Sequence, residues 1–250
     1  MIRMMLKDAQ WERLAPLLPG KDGDPGRSGE DNRLFVEAVL WLVRAGAPWR
    51  DLPPQFGKWG SVWKRFRRWA EKGVFERVFH ALSDDPDFEY ALVDGTIVKV
   101  HRHATGAKGG PQNQAIGKSR GGLTTKIVAL VDALGNLARF ILLPGQRHDS
   151  IGVEPLLCGV ALGALIGDKA FDSDWLRLKL NERGALAVIP PNASRAGNIP
   201  YDGEMYKWRH LVENFFQKIK EFRRIATRYD KTDTSFRAAI HLVATVLALR

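Results

Sequence analysis

YALVD, at residues 90–94, is the stretch that decides the fold, because the pattern of apolar residues changes there from helical to strand-like. A short apolar run bounded by turn-forming residues is typical of a buried strand, which we extend towards Val100. The preceding stretch SDDPD, at residues 83–87, is polar and helix-breaking, which indicates a linker. The sequence therefore predicts two domains, residues 1–88 and residues 89–250.

The first domain is predicted to be entirely helical. Apolar residues recur at helical spacing in four segments: residues 9–18, 32–44, 62–72 and 75–82. The third helix, with Ser61 as its expected N-cap, follows a tight turn and another helix, as does the reading helix of a helix-turn-helix unit. A solvated face that contacts only phosphates is the alternative to base reading. The cations predicted to contact DNA from this helix are Lys64, Arg65, Arg67 and Arg68.

The second domain is predicted to combine strands and helices. The strands after the first are expected at residues 123–131, 137–143, 164–166 and 185–189. The helices between and after them are expected at residues 150–158, at residues 174–182 and in the C-terminal part. This order, βββαβαβα, predicts an α/β fold in which a mixed sheet is flanked by helices.

Three acidic residues occupy positions where a merely solvated carboxylate would be unusual. Asp94 and Asp168 each follow a buried apolar run, and Glu213 lies on the polar side of a helix. Neighbouring parallel strands would bring both aspartates to the same end of the sheet. Carboxylate oxygens suit Mg²⁺ or Mn²⁺, and two such ions roughly 3.5–4 Å apart support phosphoryl transfer. The alternatives are a turn-forming role for each aspartate and, for Glu213, a surface salt bridge with Arg209.

Residues 206–226, YKWRHLVENFFQKIKEFRRIA, are predicted to form one amphipathic helix. Tyr206, Arg209, Glu213 and Lys220 are spaced by three, four and seven residues, so they fall on one polar stripe and can face one substrate. The residues expected on the apolar side are Trp208, Leu211, Val212, Phe215, Ile219, Phe222 and Ala226. A single carboxylate that lies among cations is suited to bind a metal ion next to a polyanionic substrate.

These four residues resemble the signature of DDE transposases of bacterial insertion sequences. The segments VDGT at residues 93–96 and IGDKAFD at residues 166–172 resemble the two aspartate motifs of that family. The segments at residues 46–53 and 65–69 resemble the N-terminal DNA-binding region of its insertion-sequence-five branch, within the broader four/five superfamily. Gly95 departs from the family pattern, which more often has serine at this position.

The resemblance implies an RNase H-like catalytic domain at residues 89–250 and a DNA-binding domain at residues 1–88. It makes Asp94, Asp168 and Glu213 the catalytic residues and the ligands of two Mg²⁺ or Mn²⁺ ions, for DNA strand cleavage and strand transfer. The expected partners are the terminal inverted repeats of the element and target DNA, with a homodimer assembled on the DNA. A catalytically inactive DNA-binding regulator and a nuclease without strand transfer remain the alternatives.

Further cations are predicted to contact DNA. Arg209 and Lys220 would hold phosphates of the scissile strand, and Tyr206 would form a hydrogen bond or stack nearby. The connection at residues 101–122 is long and glycine-rich, as functional loops often are. The cations that it contributes are Arg102, Lys108, Lys118 and Arg120.

Composition favours nucleic acid as the partner class. The formal net charge is +10 and the isoelectric point is about 9.9, although a basic surface can also bind membranes or acidic proteins. The charged start lacks the apolar core of a signal peptide, so we expect a cytoplasmic, nucleoid-associated protein with Cys158 reduced. His148 and Asp149 are predicted either to lie beside the metal site or to cap a helix.

Overall fold

The computed structural model describes residues 4–21, 23–24, 31–83, 86–195 and 199–249. The chain forms two compact units. The helical unit comprises the described parts of Met1–Asp84, Lys99–Gln114 and Lys218–Arg250, and the sheet unit comprises Asp85–Val98 and Ala115–Gln217. Across the described part of the chain, every helix is too short or too polar to span a membrane.

The described helices fall at both ends of the chain and between the later strands. They are α1 (Asp8–Leu14), α2 (Asn32–Ala45), α3 (Trp59–Glu71), α4 (Val74–Leu82), α5 (Val153–Leu157), α6 (Asp174–Glu182), α7 (Gly203–Tyr206), α8 (His210–Lys220), α9 (Arg223–Ala226) and α10 (Asp233–Ala248). The strands are β1 (Tyr90–Val100), β2 (Gly117–Ser119), β3 (Gly122–Val131), β4 (Leu137–Pro144), β5 (Ala164–Gly167), β6 (Leu186–Val188) and β7 (Thr227–Arg228).

The first four helices confirm the prediction of a helical N-terminal part. The side chain of Asp31 accepts a hydrogen bond from the Leu34 amide at the start of α2, and Gly46 ends that helix in the left-handed conformation (φ 72°). The predicted start of the third helix is wrong. α3 begins at Trp59 rather than after Ser61, and its N-cap residue, Lys58, forms no capping side-chain bond.

The core of the helical unit includes an aromatic cluster. The rings of Phe35 and Trp69 meet edge to face with centroids 4.9 Å apart, and Phe75 lies 5.8 Å from Trp69 and 5.5 Å from Phe66. Aromatic pairs at these distances add to the stabilisation that comes from burying apolar area. The inward faces of α2, α3 and α4 are thereby fixed against one another.

The sheet has seven strands and mixed direction. Its main path runs β2-β3-β1-β5-β6, with β4 paired to β3 and β7 paired to β1. β4 pairs antiparallel to β3, whereas β5 pairs parallel to both β1 and β6. The predicted α/β fold, a mixed sheet flanked by helices, is therefore confirmed, and its RNase H-like character stays a prediction.

The strands that carry the two aspartates are parallel neighbours, as expected, and both are buried. Ala91, Leu92 and Val93 of β1 are fully buried, as are Leu165 and Ile166 of β5. Strands buried on both faces are typical of parallel pairs covered by helices. Here α5 and α6 contribute Leu156 and Leu180, among others, to the same core cluster.

Two predicted segments differ from the structure. The predicted helix at residues 206–226 is broken: α7 ends at Tyr206, a 3₁₀ turn occupies Lys207–Arg209, and α8 stops at Lys220 before the short α9. Trp208, expected in the core, is 49% exposed because it falls in that turn. The long connection at residues 101–122 is partly ordered, since it contains β2, which pairs with the start of β3. Asp84 and Asp85 of the predicted linker lie outside the described residues.

A buried histidine predicts how the stability of the helical unit depends on pH. His241 of α10 is 6% exposed and packs beside the rings of Phe79 and His80. Burial lowers the pKa of His241 to about 3, and the charges of His80 and Arg237 act in the same direction. The unfolded chain binds a proton near pH 6.5, whereas the folded chain does not. The contribution of His241 is therefore complete above pH 6.5 and declines as the pH falls towards 3.

We expect His241→Phe to reduce this loss of stability in acid. Between pH 7.5 and pH 5 the free energy of unfolding of the unchanged chain should fall by about 2 kcal/mol more than that of the variant, at about 1.4 kcal/mol per pH unit below 6.5. Urea unfolding at the two pH values measures both quantities. Equal losses in the two proteins would show that His241 binds a proton in the folded state as well.

Candidate active site

The sheet unit brings the two predicted aspartates together. In the parallel pairing of β1 with β5, Val93 lies opposite Gly167, so the next residues, Asp94 and Asp168, are neighbours at the same end of the sheet. The side chain of Asp94 is 13% exposed, and its Oδ1 accepts a hydrogen bond of 2.7 Å from the Gly95 amide. Parallel pairing in this register thus places two carboxylates side by side, that of Asp94 within β1 and that of Asp168 directly after β5.

Asp168 also has the turn-forming role that the sequence left open. Its Oδ1 accepts a hydrogen bond of 2.8 Å from the Ala170 amide and caps the 3₁₀ turn Lys169–Phe171. This bond fixes the side chain at the end of β5. A carboxylate has a second oxygen, so the turn and a ligand role are compatible.

Arg209 connects Asp94 with the third acid, Glu213. One guanidinium nitrogen lies 2.9 Å from Asp94 Oδ2, and another forms an ion pair with Glu213 Oε1 four residues further along the helix. The helical salt bridge considered as the alternative for Glu213 is therefore present. Among the residues that the structure describes, no three His, Cys, Asp or Glu side chains are grouped closely enough to hold a metal ion as they stand.

A fourth carboxylate, Asp149, lies in the same region. It follows β4 and is the first residue of a short 3₁₀ helix, whose N-cap residue, His148, makes no capping side-chain hydrogen bond. Instead, its Oδ1 lies 2.6 Å from the ammonium nitrogen of Lys126, a residue of β3. Of the two predicted roles for Asp149, the structure therefore favours a position beside the aspartates over helix capping, while the adjacent His148 is exposed.

The electrostatics show that these groups act on one another. Burial raises the pKa of Asp94, and the carboxylates of Asp168 and Asp149 raise it further, while Arg209 and the Gly95 amide oppose the shift. Burial alone would lower the pKa of Arg209, but Asp94 and Glu213 outweigh that effect, so its pKa is raised. The guanidinium therefore remains charged and holds two carboxylates that would otherwise repel each other.

The donor set fits a divalent cation. Among the residues that the structure describes, the cations paired with the four carboxylates of Asp94, Asp149, Asp168 and Glu213 are Lys126 and Arg209, which leaves a formal charge of −2. Oxygen ligands and uncompensated negative charge are what Mg²⁺ and Mn²⁺ require. Asp94, Asp168 and Glu213 are the residues that would hold such an ion, and Glu213 would then share its carboxylate between the ion and Arg209.

Tyr206 belongs to the same site, whereas Lys220 lies in the other unit. Burial raises the pKa of the Tyr206 hydroxyl. The charge of Arg209 lowers this pKa in part, and the charge of Asp168 raises it. Its ring meets that of Tyr201 edge to face, with centroids 5.6 Å apart. Lys220 is the last residue of α8 and belongs to the helical unit, so its contact with DNA stays a prediction.

The cations of α3 are not equivalent. The guanidinium of Arg65 lies over the rings of Phe35 and Trp69, at 4.4 and 4.6 Å from their centroids, and forms a hydrogen bond with Asn32. Burial lowers its pKa, and the charge of Arg68 adds to that effect. Arg65 therefore packs α3 against α2. The exposed cations of this helix include Lys64, Arg67 and Arg68.

The cations of the long connection are all exposed but divide between the two units. Arg102 and Lys108 belong to the helical unit, whereas Lys118, on β2, and Arg120, in the turn before β3, belong to the sheet unit. Exposure is compatible with the predicted DNA contacts and does not establish them.

Two family models match this chain. "Putative transposase of IS4/5 family (DUF4096)" matches residues 6–79, and "Transposase DDE domain" matches residues 86–249. Among solved structures, the chain resembles a piggyBac transposase synaptic complex with hairpin DNA (TM-score 0.46, 11% identity, covering 96% of this chain and 70% of that chain). It also resembles a Mos1 transposase paired-end complex with left transposon end (TM-score 0.24, 12% identity, covering 82% and 80%).

Three curated relatives share sequence with the chain. The putative transposase for insertion sequence element IS6501 of Brucella ovis is 39% identical over 130 residues, which cover 51% of this chain and 100% of the relative. The uncharacterized protein y4sN of Sinorhizobium fredii is 43% identical over 105 residues, covering 41% and 82%. The insertion element IS402 uncharacterized 16.2 kDa protein of Burkholderia cepacia is 32% identical over 112 residues, covering 40% and 76%.

Because the transposase DDE domain spans well over half of the chain and the whole IS6501 relative aligns with it, this chain belongs to the DDE transposases of bacterial insertion sequences, enzymes that act on DNA.

Proposed function

We propose that this transposase binds the terminal inverted repeats of its element, cleaves DNA strands there and joins the freed ends to target DNA. The observation that carries the proposal is the pair of neighbouring carboxylates, Asp94 and Asp168, with Arg209 and Glu213 beside them. Uncompensated carboxylates next to a fixed guanidinium suit chemistry on phosphodiesters, because the substrate and the transition state are anionic.

Enzymes with this domain use divalent metal for catalysis. We assign Asp94, Asp168 and Glu213 as the ligands of two divalent ions, either Mg²⁺ or Mn²⁺. When bound, such ions activate the attacking oxygen and stabilise the leaving oxygen of an in-line displacement. The attacking group would be water in the cleavage step and the freed 3′-hydroxyl in the transfer step.

The chain's own residues would position the DNA strand. The Arg209 guanidinium already faces two carboxylates, so its remaining donors suit a phosphate oxygen held at the same place. Tyr206 would form a hydrogen bond or stack beside it, and Lys220 would contribute a point charge. These roles require that the scissile phosphate enter beside Asp94 of β1 and the end of β5.

Recognition of the ends is assigned to residues 1–88 and catalysis to residues 89–250. Lys64, Arg67 and Arg68 are the exposed cations that we expect to contact the duplex from α3, whereas Arg65 supports the helix. Arg102, Lys108, Lys118 and Arg120 would add phosphate contacts. We further propose a homodimer assembled on DNA, so that two ends are held together, and a location at the nucleoid in the cytoplasm.

The first test removes single carboxylates while keeping their size. Asp94→Asn, Asp168→Asn and Glu213→Gln should each lower the cleavage rate by at least about 100-fold, because each removes charge that acts on the reacting groups. Binding to terminal-repeat DNA should remain largely unchanged. Gel-shift titration and nicking of end-labelled DNA with Mg²⁺ measure the two properties.

Glu154→Gln is the matched control for these variants. Glu154 is an exposed acid of the same unit that pairs with Lys179, and its amide variant should cleave like the unchanged chain. Robust cleavage by any one of the three active-site variants would remove that residue from the site. Binding without nicking by the unchanged chain would favour an inactive regulator, and nicking without joining of pre-cleaved ends would favour a nuclease.

The second test concerns the cations of α3. Lys64→Ala and Arg67→Ala should weaken binding to terminal-repeat DNA and flatten its salt dependence, by about one unit of slope for each lost phosphate contact. Affinities measured from low to moderate salt give the slopes. Arg13→Ala, which removes an exposed cation from α1, serves as the control. If the α3 variants match this control, the binding face lies elsewhere.

A further inference from the structure

Gly95 leaves a space that the Asp149 carboxylate fills. A Cβ atom built on Gly95 would lie 2.9 Å from Asp149 Cγ, 2.9 Å from Oδ1 and 3.1 Å from Oδ2. Gly95 is not among the described glycines with positive φ, so its backbone conformation is open to other residues. The reason for a glycine here is therefore room for the carboxylate.

Asp149 is held in that space from its other side. Its Oδ1 lies 2.6 Å from the ammonium nitrogen of Lys126, which also donates a hydrogen bond of 2.7 Å to the Arg147 carbonyl oxygen. Lys126 is 9% exposed and belongs to β3, in the middle of the sheet. An ion pair between a buried ammonium group and a partly buried carboxylate is costly to break, and the second hydrogen bond of Lys126 fixes the ammonium group, so the carboxylate is held beside Gly95.

The residue that Asp149 contacts, Gly95, is in turn hydrogen-bonded to Asp94. The Gly95 amide, on the residue against which Asp149 packs, donates the 2.7 Å hydrogen bond to Asp94 Oδ1. Asp94 Oδ2 is held by Arg209 at 2.9 Å. Any displacement of Gly95 by Asp149 would therefore change the direction from which Asp94 is held.

We propose that Asp149 is a positioning residue for Asp94, fixed by Lys126 and accommodated by Gly95. It acts by packing on Gly95, and its charge adds to the negative field that a divalent cation neutralises. The inference rests on the proposed function, since it assigns to Asp94 the role of a metal ligand. Glycine at position 95 then follows from the acid at position 149, because a larger residue would meet its carboxylate.

Asp149→Asn tests the charge with little change in shape. We expect the affinity of the DNA-free protein for Mn²⁺, measured by calorimetric titration, to fall about 10–100-fold, the usual effect of losing a partner of a metal ligand. The Mg²⁺ concentration needed for half-maximal cleavage should rise, and the affinity for terminal-repeat DNA should stay the same. Unchanged Mn²⁺ affinity would overturn the inference.

A double-mutant cycle tests the contact itself. Gly95→Ala should weaken Mn²⁺ binding strongly in the unchanged chain, because its methyl group displaces the carboxylate. In the Asp149→Ala background, where the space is open, the same substitution should have little further effect. Equal effects of Gly95→Ala in both backgrounds would contradict the proposal. Gly203→Ala is the matched control, since a Cβ atom there meets nothing within 4 Å.

The measurements separate this inference from the proposed function. The Mn²⁺ titration needs no turnover, so it decides the role of Asp149 even if the unchanged chain fails to cleave. Conversely, normal cleavage with an unaltered cation requirement in Asp149→Asn would overturn the inference and leave the proposed function standing. Thermal unfolding of every variant, compared with Glu154→Gln, identifies any effect that comes from loss of folding.

Discussion

The pairing of β1 with β5 is the constraint on which the site depends. Five fully buried apolar residues, three on β1 and two on β5, hold the two strands together, and each buried valine, leucine or isoleucine among them stabilises the fold by about 1.5–3 kcal/mol. Because the register places Val93 opposite Gly167, the residues that follow them, Asp94 and Asp168, lie side by side. The fold therefore fixes where two like charges meet, although their repulsion opposes that meeting.

Much of this arrangement could be predicted from the sequence, because it depends on short-range patterns. The apolar runs at the two aspartates are surrounded by turn signals, and the predicted helix at residues 174–182 matches α6, whose start is capped by Ser173. The apolar face of α8 was also predictable, since Val212, Phe215 and Ile219 recur at helical spacing and are buried. Where one face of an element must be buried, periodicity determines both the element and its orientation.

The parts that could not be predicted depend on contacts between distant segments. Helical spacing over residues 206–226 gave no sign of the 3₁₀ turn that separates Tyr206 from α8. The link from Arg209 to Asp94 joins residues 115 positions apart, and the sequence showed only the local pair with Glu213. Likewise, Asp149 had two possible roles because nothing near it in sequence indicates Lys126. Propensity describes local preference, and tertiary contacts override it at such sites.

The balance of charge around Asp94 and Asp168 links the folding of the site to the proposed chemistry. A partly buried carboxylate such as Asp94 is costly to keep ionised, as its raised pKa shows, and a site with four acids and two bases concentrates that cost. Replacing one acid by an apolar residue would relieve the repulsion but would also remove the reason for a cation to bind. Arg209 stabilises the folded site through Asp94 and Glu213, and in the proposed function it would present the same charge to a phosphate. The residue that holds the carboxylates together is therefore also the one that we propose to bind the anionic substrate.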